Sequence, residues 1–164
     1  MRYFWDAVKD WKIYVHMLIT IGIYTPVYSF SLFLPTIIRN MGYSSTRAQL
    51  MSVPPYALGC VVTIAAGYVG DKYKRRGLFM LIFSATALLG WVMLISTTTP
   101  GVQYTGTFLA CAGIFACVPL GVAWNGNNIG GSLKRGVGIA MHVGAGNLGG
   151  VLAAFIYLKK DSPK

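Results

Sequence analysis

The stretch GYVGDKYKRRG, residues 67–77, separates two long apolar runs and contains four of the chain's 14 Lys and Arg residues and one of its four acidic residues. The chain has 164 residues, of which 55% are hydrophobic and only 11% are charged. Ordinary soluble domains carry about a quarter charged residues. So small a polar surface predicts a protein that is solvated by lipid, and the charged stretch predicts a connection at the membrane surface.

Five apolar runs are long enough to cross a hydrocarbon core, which takes roughly 20 helical residues. They are continuous and not alternating, and in lipid only helices and closed barrels satisfy the backbone, so they predict an all-α integral membrane fold with five transmembrane helices. The predicted spans are about 13–38, 51–69, 78–96, 104–124 and 136–158, within a helical bundle of residues 13–158.

The two ends of the chain are predicted to lie outside this bundle. Phe4, Val8 and Trp11 share one face of a helix, which predicts an amphipathic interfacial segment over residues 1–12. Residues 159–164 are predicted to form a short tail.

The distribution of positive charge predicts the orientation. Nine of the 14 Lys and Arg residues fall on the side of the N-terminus, residues 72–76 and residues 134–135, and five fall on the opposite side. Because cytoplasmic loops carry the excess of cations, the N-terminus is predicted to be cytoplasmic and the C-terminal tail extracellular. The cations lie between apolar runs and not along one polar face, which favours a lipid bilayer over nucleic acid as the partner.

GYVGDKYKRRG resembles the G-x-x-x-D-(R/K)-x-G-(R/K)-(R/K) loop of the major facilitator superfamily, which joins the second and third helices of each six-helix half. The matching positions are held by Gly67, Asp71, Lys72, Arg75 and Arg76. Lys74 stands where the family usually has its second glycine. The resemblance implies a cytoplasmic gate, in which Gly67 permits close helix approach and Asp71 accepts hydrogen bonds at a helix N-terminus. The alternative is that Asp71 merely neutralises its cationic neighbours.

Three further stretches are similar to the C-terminal half of fungal anion:cation symporters of the allantoate and nicotinate permease group. They are GYSSTRAQLMSVPPYALG (42–59), NNIGGSLKRGVGIAM (127–141) and GNLGGVLAAFIYLKKDSP (146–163). The resemblance implies a partial major facilitator fold whose five helices correspond to helices 7–11 of 12. The N-terminal six-helix half and helix 12 would then lie outside this chain. It also implies proton-coupled transport of a small organic anion across the plasma membrane by alternating access.

Polar residues inside the predicted spans are candidates for the substrate cavity, because polar groups at mid-depth are costly. Thr20, Tyr24 and Tyr28 recur at every fourth residue of the first span, and aromatic hydroxyls suit a flat carboxylated ring. Asn147 and His142 lie in the fifth span, and a histidine changes charge near neutral pH, so His142 is a candidate for relaying a coupling proton. The alternative for the tyrosines and for His142 is hydrogen bonding between packed helices.

Glycines in the fifth span spell G-x-G-x-x-G at Gly144, Gly146 and Gly149, but this dinucleotide motif needs a preceding strand and here lies inside an apolar run. The spacing of Gly146 and Gly150, and that of Ala140 and Gly144, instead predicts a small-residue face for tight helix packing.

Two local signals predict helix ends. Thr46 and Gln49 have the spacing of a capping box, which predicts the start of the second helix. Asn125, Asn127 and Asn128 are predicted to cap the end of the fourth, and contact with the substrate is the alternative for them.

The sequence contains no Ser/His/Asp set, no paired carboxylates and no metal-ligand spacing. It therefore predicts no catalytic residue, no cofactor and no metal site, which argues against a membrane-embedded enzyme. A membrane interaction protein that transports nothing, or a truncated gene product, is the remaining alternative to part of a transporter.

Overall fold

The computed structural model describes residue 5 and residues 9–156, and five helices contain nearly all of them. They are α1 (Trp11–Asn40), α2 (Ser45–Tyr73), α3 (Arg76–Ser96), α4 (Pro100–Asn128) and α5 (Ser132–Ile156). All five are long and apolar enough to cross a membrane, and each overlaps one predicted span. The prediction of an all-α fold with five membrane-length helices is confirmed.

Each helix extends beyond its predicted span at one end or both, because helical hydrogen bonding continues past the apolar core until a turn stops it. Gly42 and Gly131 supply such turns, with φ of 98° and 86°, which a glycine adopts without steric cost. The amphipathic segment predicted for residues 1–12 depends on Phe4 and Val8, which lie outside the described residues, as does the tail 159–164.

The start of α2 corrects one prediction. The N-cap is Ser44, whose extended backbone precedes the helix and whose side chain makes no capping hydrogen bond. Thr46 therefore lies inside the first turn, and its spacing to Gln49 does not form a capping box.

The described helices belong to two compact units. The first unit takes in residues 1–29 and 121–164, and the second takes in residues 30–120. The first therefore contains most of α1, the end of α4 and all of α5. The second contains the end of α1, all of α2 and α3, and most of α4.

Small residues let α3 and α4 approach closely in the second unit. A Cβ atom added to Gly90 of α3 would lie 2.7 Å from the carbonyl oxygen of Gly106 and closer still to the backbone of Ala110. A Cβ added to Gly113 of α4 would lie 2.6 Å from the backbone nitrogen of Ala87. Backbone meets backbone along this contact, as small residues permit in lipid, where helices gain nothing by burying apolar surface against each other.

Pro35 of α1 leaves one backbone carbonyl of the second unit without its usual helical donor. A proline has no N–H, so the carbonyl of Ser31, four residues earlier, loses its partner. The hydroxyl of Tyr56, from α2, donates to that carbonyl at 3.2 Å.

A second carbonyl freed by a proline is satisfied in the same way at Pro55 of α2. This proline frees the carbonyl of Met51, and the hydroxyl of Tyr104, from α4, donates to it at 3.0 Å. Lipid offers no water to satisfy a freed carbonyl, so each tyrosine both repairs a helix and ties it to another.

We expect Tyr56→Phe to destabilise the fold by roughly 1–2 kcal/mol, because it leaves the Ser31 carbonyl unsatisfied. In a Pro35→Ala background the restored N–H satisfies that carbonyl, so the same Tyr56→Phe change should cost much less. Thermal unfolding of the detergent-solubilised protein measures all four members of this cycle. Tyr68→Phe, at an exposed tyrosine of the same helix, is the control. Equal costs of Tyr56→Phe in both backgrounds would contradict the account.

We expect Gly90→Ala to lower the free energy of unfolding by roughly 1–3 kcal/mol, because the added methyl forces α3 and α4 apart. The matched control is Gly101→Ala in α4, where no described atom lies within 4 Å of the added Cβ. That change should be neutral or slightly stabilising, since alanine is the better helix former. The unfolding midpoints of the two variants test the contact, and equal midpoints would refute it.

Candidate functional site

In the first unit α1 and α5 pack side by side along a face of glycines. A Cβ added to Gly146 would lie 2.7 Å from Cδ1 of Tyr24, and one added to Gly150 would lie 3.0 Å from Cδ2 of Tyr28. The prediction of close packing at this glycine pair is confirmed. The partners follow in the same order along both helices, so α1 and α5 run parallel, as the first and fifth spans of a chain that crosses back and forth must.

The other predicted small-residue pair does not pack. Ala140 and Gly144 are exposed, and no described atom lies within 4 Å of a Cβ added to Gly144. A separation of two residues rotates a helical position by about 200°, which turns Gly144 away from the face that contains Gly146.

Tyr28 and Asn147 form a hydrogen-bonded pair between α1 and α5. The Tyr28 hydroxyl donates to Oδ1 of Asn147 at 2.7 Å. Asn147 is exposed and Tyr28 is half-buried, and the ring of Tyr24 lies one turn away with its centroid 6.2 Å from that of Tyr28. Two aromatic rings and an accessible amide therefore meet near the middle of α5.

Thr20 and His142 form a second contact between the same helices, and it is buried. The Thr20 hydroxyl oxygen lies 2.7 Å from Nδ1 and 3.0 Å from Nε2 of His142, and it also lies 2.7 Å from the carbonyl oxygen of His16. Thr20 and His142 are 1% and 3% exposed. The ring of His16 packs edge-on against Trp124 of α4, with centroids 4.9 Å apart.

All five predicted cavity residues therefore lie along one contact between α1 and α5, which we call the α1–α5 seam. Its members are Thr20, Tyr24, Tyr28, His142 and Asn147. His16 lies beside the seam on α1 and was missed; its ring packs against Trp124 of α4 and not against α5. It stands four residues before Thr20, so extending the periodic stripe by one turn finds it.

Asn125 departs from its predicted role as a cap. It is fully buried, and its side-chain amide donates to the backbone carbonyl of Gly138 in α5 at 3.3 Å. Its Oδ1 atom has no hydrogen-bond partner among the described residues. Asn128, by contrast, donates to the carbonyl of Trp124 at 3.0 Å and does stabilise the end of α4.

An ion pair joins the starts of α1 and α5. Nζ of Lys134 donates to a carboxylate oxygen of Asp10 at 2.7 Å. This hydrogen bond lowers the pKa of Asp10 below its ordinary value, against the opposing effect of partial burial. A lowered pKa means that the pair stabilises the fold at neutral pH and loses that contribution only as the pH falls through the pKa of the folded state. The two residues are 124 positions apart, and no local pattern predicts their pairing.

The gate motif lies in the second unit, where α2 ends and α3 begins. The carboxylate of Asp71 pairs with the guanidinium of Arg76, the first residue of α3. The Asp71 side chain remains 68% exposed. Within the described part of this chain Asp71 therefore pairs with a cation of its own motif and not with the backbone N–H groups of a helix N-terminus. This contact fits the alternative in which Asp71 neutralises its cationic neighbours.

The glycine predicted to allow close helix packing in this motif is not the one that does so. No described atom lies within 4 Å of a Cβ added to Gly67, so the close approach predicted there is not made by the described residues. Gly70 is the tightly packed one, since an added Cβ would lie 2.7 Å from Cδ2 of Leu120.

Lys74 ends α2 with a left-handed backbone, φ 53° and ψ 15°. Among the described residues, positive φ angles occur at Gly42 and Gly131 and, of the non-glycine residues, at Lys74. This conformation favours glycine, which explains why a glycine suits the position in the superfamily motif.

Five membrane-length helices and buried polar contacts between them make this an integral membrane protein. Within residues 5 and 9–156, no three His, Cys, Asp or Glu side chains are grouped so as to hold a metal ion.

Comparison with known proteins then gives the family. An MFS-type transporter of Penicillium expansum is 36% identical over 96% of this chain and 32% of its own length. An uncharacterized transporter of Schizosaccharomyces pombe is 34% identical over 93% of the chain and 32% of its own length. The high-affinity nicotinic acid transporter of Saccharomyces cerevisiae is 31% identical over 98% of the chain and 30% of its own length. The chain belongs to the major facilitator superfamily.

The chain spans about a third of the length of the curated relatives that it matches. No family model matches the chain. No solved structure matches it either. The relatives are named as transporters, which agrees with the prediction that the chain is not an enzyme.

Proposed function

We propose that this chain is part of a secondary active transporter that moves a small, flat organic anion such as nicotinate together with a proton, by alternating access. The observation that carries the proposal is the Tyr28–Asn147 pair, a polar contact that is accessible near the middle of a membrane-length helix. Polar groups at that depth are costly when they face lipid, so an accessible pair belongs to a water-filled cavity. The relative named as a nicotinic acid transporter supports this substrate class.

The chemistry of the seam suits such an anion. The amide nitrogen of Asn147 is a donor for a carboxylate, and the rings of Tyr24 and Tyr28 offer faces for stacking. A cavity of this kind lies between two halves of a transporter, and this chain supplies one wall. The other wall would come from an N-terminal six-helix half, in a protein of the length that the relatives have.

The transporter is proposed to lie in the plasma membrane with the N-terminus of this chain in the cytoplasm, as the excess of cations on that side favours. The motif of Gly67, Asp71, Lys72, Arg75 and Arg76 would then form the cytoplasmic gate. Within the chain Asp71 already pairs with Arg76, yet most of its carboxylate is exposed. That exposed surface leaves Asp71 accessible for a second contact with the other half when the gate closes.

The test of substrate binding is nicotinate uptake by the transporter that contains this chain, expressed in yeast cells without nicotinate uptake of their own. We expect Tyr28→Phe to raise the half-saturation concentration about tenfold, the effect of losing one hydrogen bond of about 1.4 kcal/mol, with little change in maximal rate. Tyr14→Phe is the matched control, because Tyr14 lies on the same helix and is 44% exposed. Absence of uptake by the unmodified transporter, at normal surface level, would overturn the proposed function and favour a membrane interaction protein.

The gate is tested separately in the same cells. We expect Asp71→Asn to lower the maximal uptake rate severalfold with little change in half-saturation, because it weakens the closed cytoplasmic state without touching the seam. Asp71→Glu keeps the charge and should retain most of the rate. If Asp71→Asn transports at the normal rate, the carboxylate only balances the charge of its neighbours.

A further inference from the structure

The Thr20 hydroxyl is placed to satisfy two protonation states of His142. A hydroxyl has one hydrogen and two lone pairs. The Thr20 oxygen lies within hydrogen-bond distance of both ring nitrogens of His142 and of the His16 carbonyl oxygen. When the nitrogen that faces it has no hydrogen, Thr20 donates to that nitrogen. When both nitrogens are protonated, His142 donates to Thr20, and Thr20 turns its own hydrogen to the His16 carbonyl.

Among the described residues, the groups around His142 provide no negative charge to balance an added proton. His16 on α1 lies close enough to interact electrostatically with His142, and it is basic as well. Thr20 and Tyr24 on α1 are uncharged. On α4, Trp124, which packs against His16, and Asn125, which donates to the Gly138 carbonyl, are uncharged as well. Asp10 is the acidic residue among the described residues of the first unit, and it pairs with Lys134.

A buried charge is costly unless an opposite charge accompanies it. The accessible Tyr28–Asn147 pair stands five residues further along α5 from His142, which corresponds to about 7.5 Å of helical rise. A carboxylate held there would lie within the distance at which unlike charges attract strongly in a medium of low dielectric constant. The anion would then provide the charge that the protein around His142 lacks.

We propose that His142 takes up the coupling proton and does so only together with the bound organic anion, with Thr20 as the positioning residue that satisfies His142 in both states. The proposal rests on proton-coupled anion transport, the function proposed above. Proton and carboxylate enter as a pair without net charge, and both are released on the other side of the membrane. Coupling follows because neither binds well alone. The proton moves on and off a ring nitrogen, and no other bond is made or broken.

The experiment uses the transporter that contains this chain, with radiolabelled nicotinate as the probe. Membrane vesicles are given an inward proton gradient of one pH unit, which supports up to about tenfold accumulation for one proton per anion. Exchange of labelled for unlabelled nicotinate, which needs no net proton movement, is measured in the same vesicles. With nicotinate at saturating concentration on both sides, we expect His142→Gln to keep exchange within about threefold of the unmodified protein and to lose accumulation. His16→Gln is the matched control and should still accumulate nicotinate.

Four outcomes would overturn the assignment. Two concern His142→Gln: accumulation at the unmodified level, or loss of both exchange and accumulation at normal surface level. The third is loss of accumulation in His16→Gln alone. The fourth is an unchanged profile of uptake against pH in Thr20→Val. If His142→Gln does not reach the membrane, the two variants Thr20→Val and Thr20→Ser test the proposal in its place. Thr20→Ser keeps the hydroxyl and should retain the normal profile of uptake against pH, whereas Thr20→Val should shift it. A transporter that neither accumulates nor exchanges nicotinate before any substitution refutes the proposed function instead.

Discussion

Every backbone carbonyl that loses its donor inside a bilayer has to find another one within the protein, because the surrounding hydrocarbon offers none. Prolines in membrane helices create such carbonyls, and two of those in the second unit have been matched with tyrosine hydroxyls from other helices. These two tyrosines, Tyr56 and Tyr104, are therefore part of the helix framework. The same constraint acts in the first unit, where Thr20 pairs with His142 and Tyr28 pairs with Asn147 across α1 and α5.

The seam divides into two chemically distinct parts. Thr20 and His142 are buried and face each other, whereas Tyr28 and Asn147 meet where other molecules have access. The glycines of α5 make this division possible, because they let the rings of Tyr24 and Tyr28 lie directly against its backbone. A bulkier face would separate the helices and break both hydrogen bonds. Packing and polar chemistry on this surface therefore depend on the same residues.

Composition and hydropathy were sufficient to predict the fold class, the five helices and the polar residues of the seam. Each of those inferences concerns a property that a helix has by itself: its length, its apolar content, or the period of its polar positions. The sequence could not predict which side chains pair across helices, since Tyr28 and Asn147 are 119 residues apart and either could have faced another helix. Asn125 was assigned to a cap because asparagines near a helix end usually serve there, and only tertiary packing shows it buried against Gly138. Gly67 was expected to pack closely, but the period of α2 places Gly70 against a neighbour instead.

The seam also has a consequence for biosynthesis. Thr20 and His142 are 122 residues apart, and ribosomes add on the order of 5–20 residues each second. The first helix therefore waits in the membrane for roughly 6–24 seconds before its partner has been made. During that interval its hydroxyl-bearing face has to be shielded from lipid by the insertion machinery or by another segment of the same polypeptide. The Thr20–His142 contact can form only after α5 has been made, so the polar pairing of α1 is completed long after α1 itself has been synthesised.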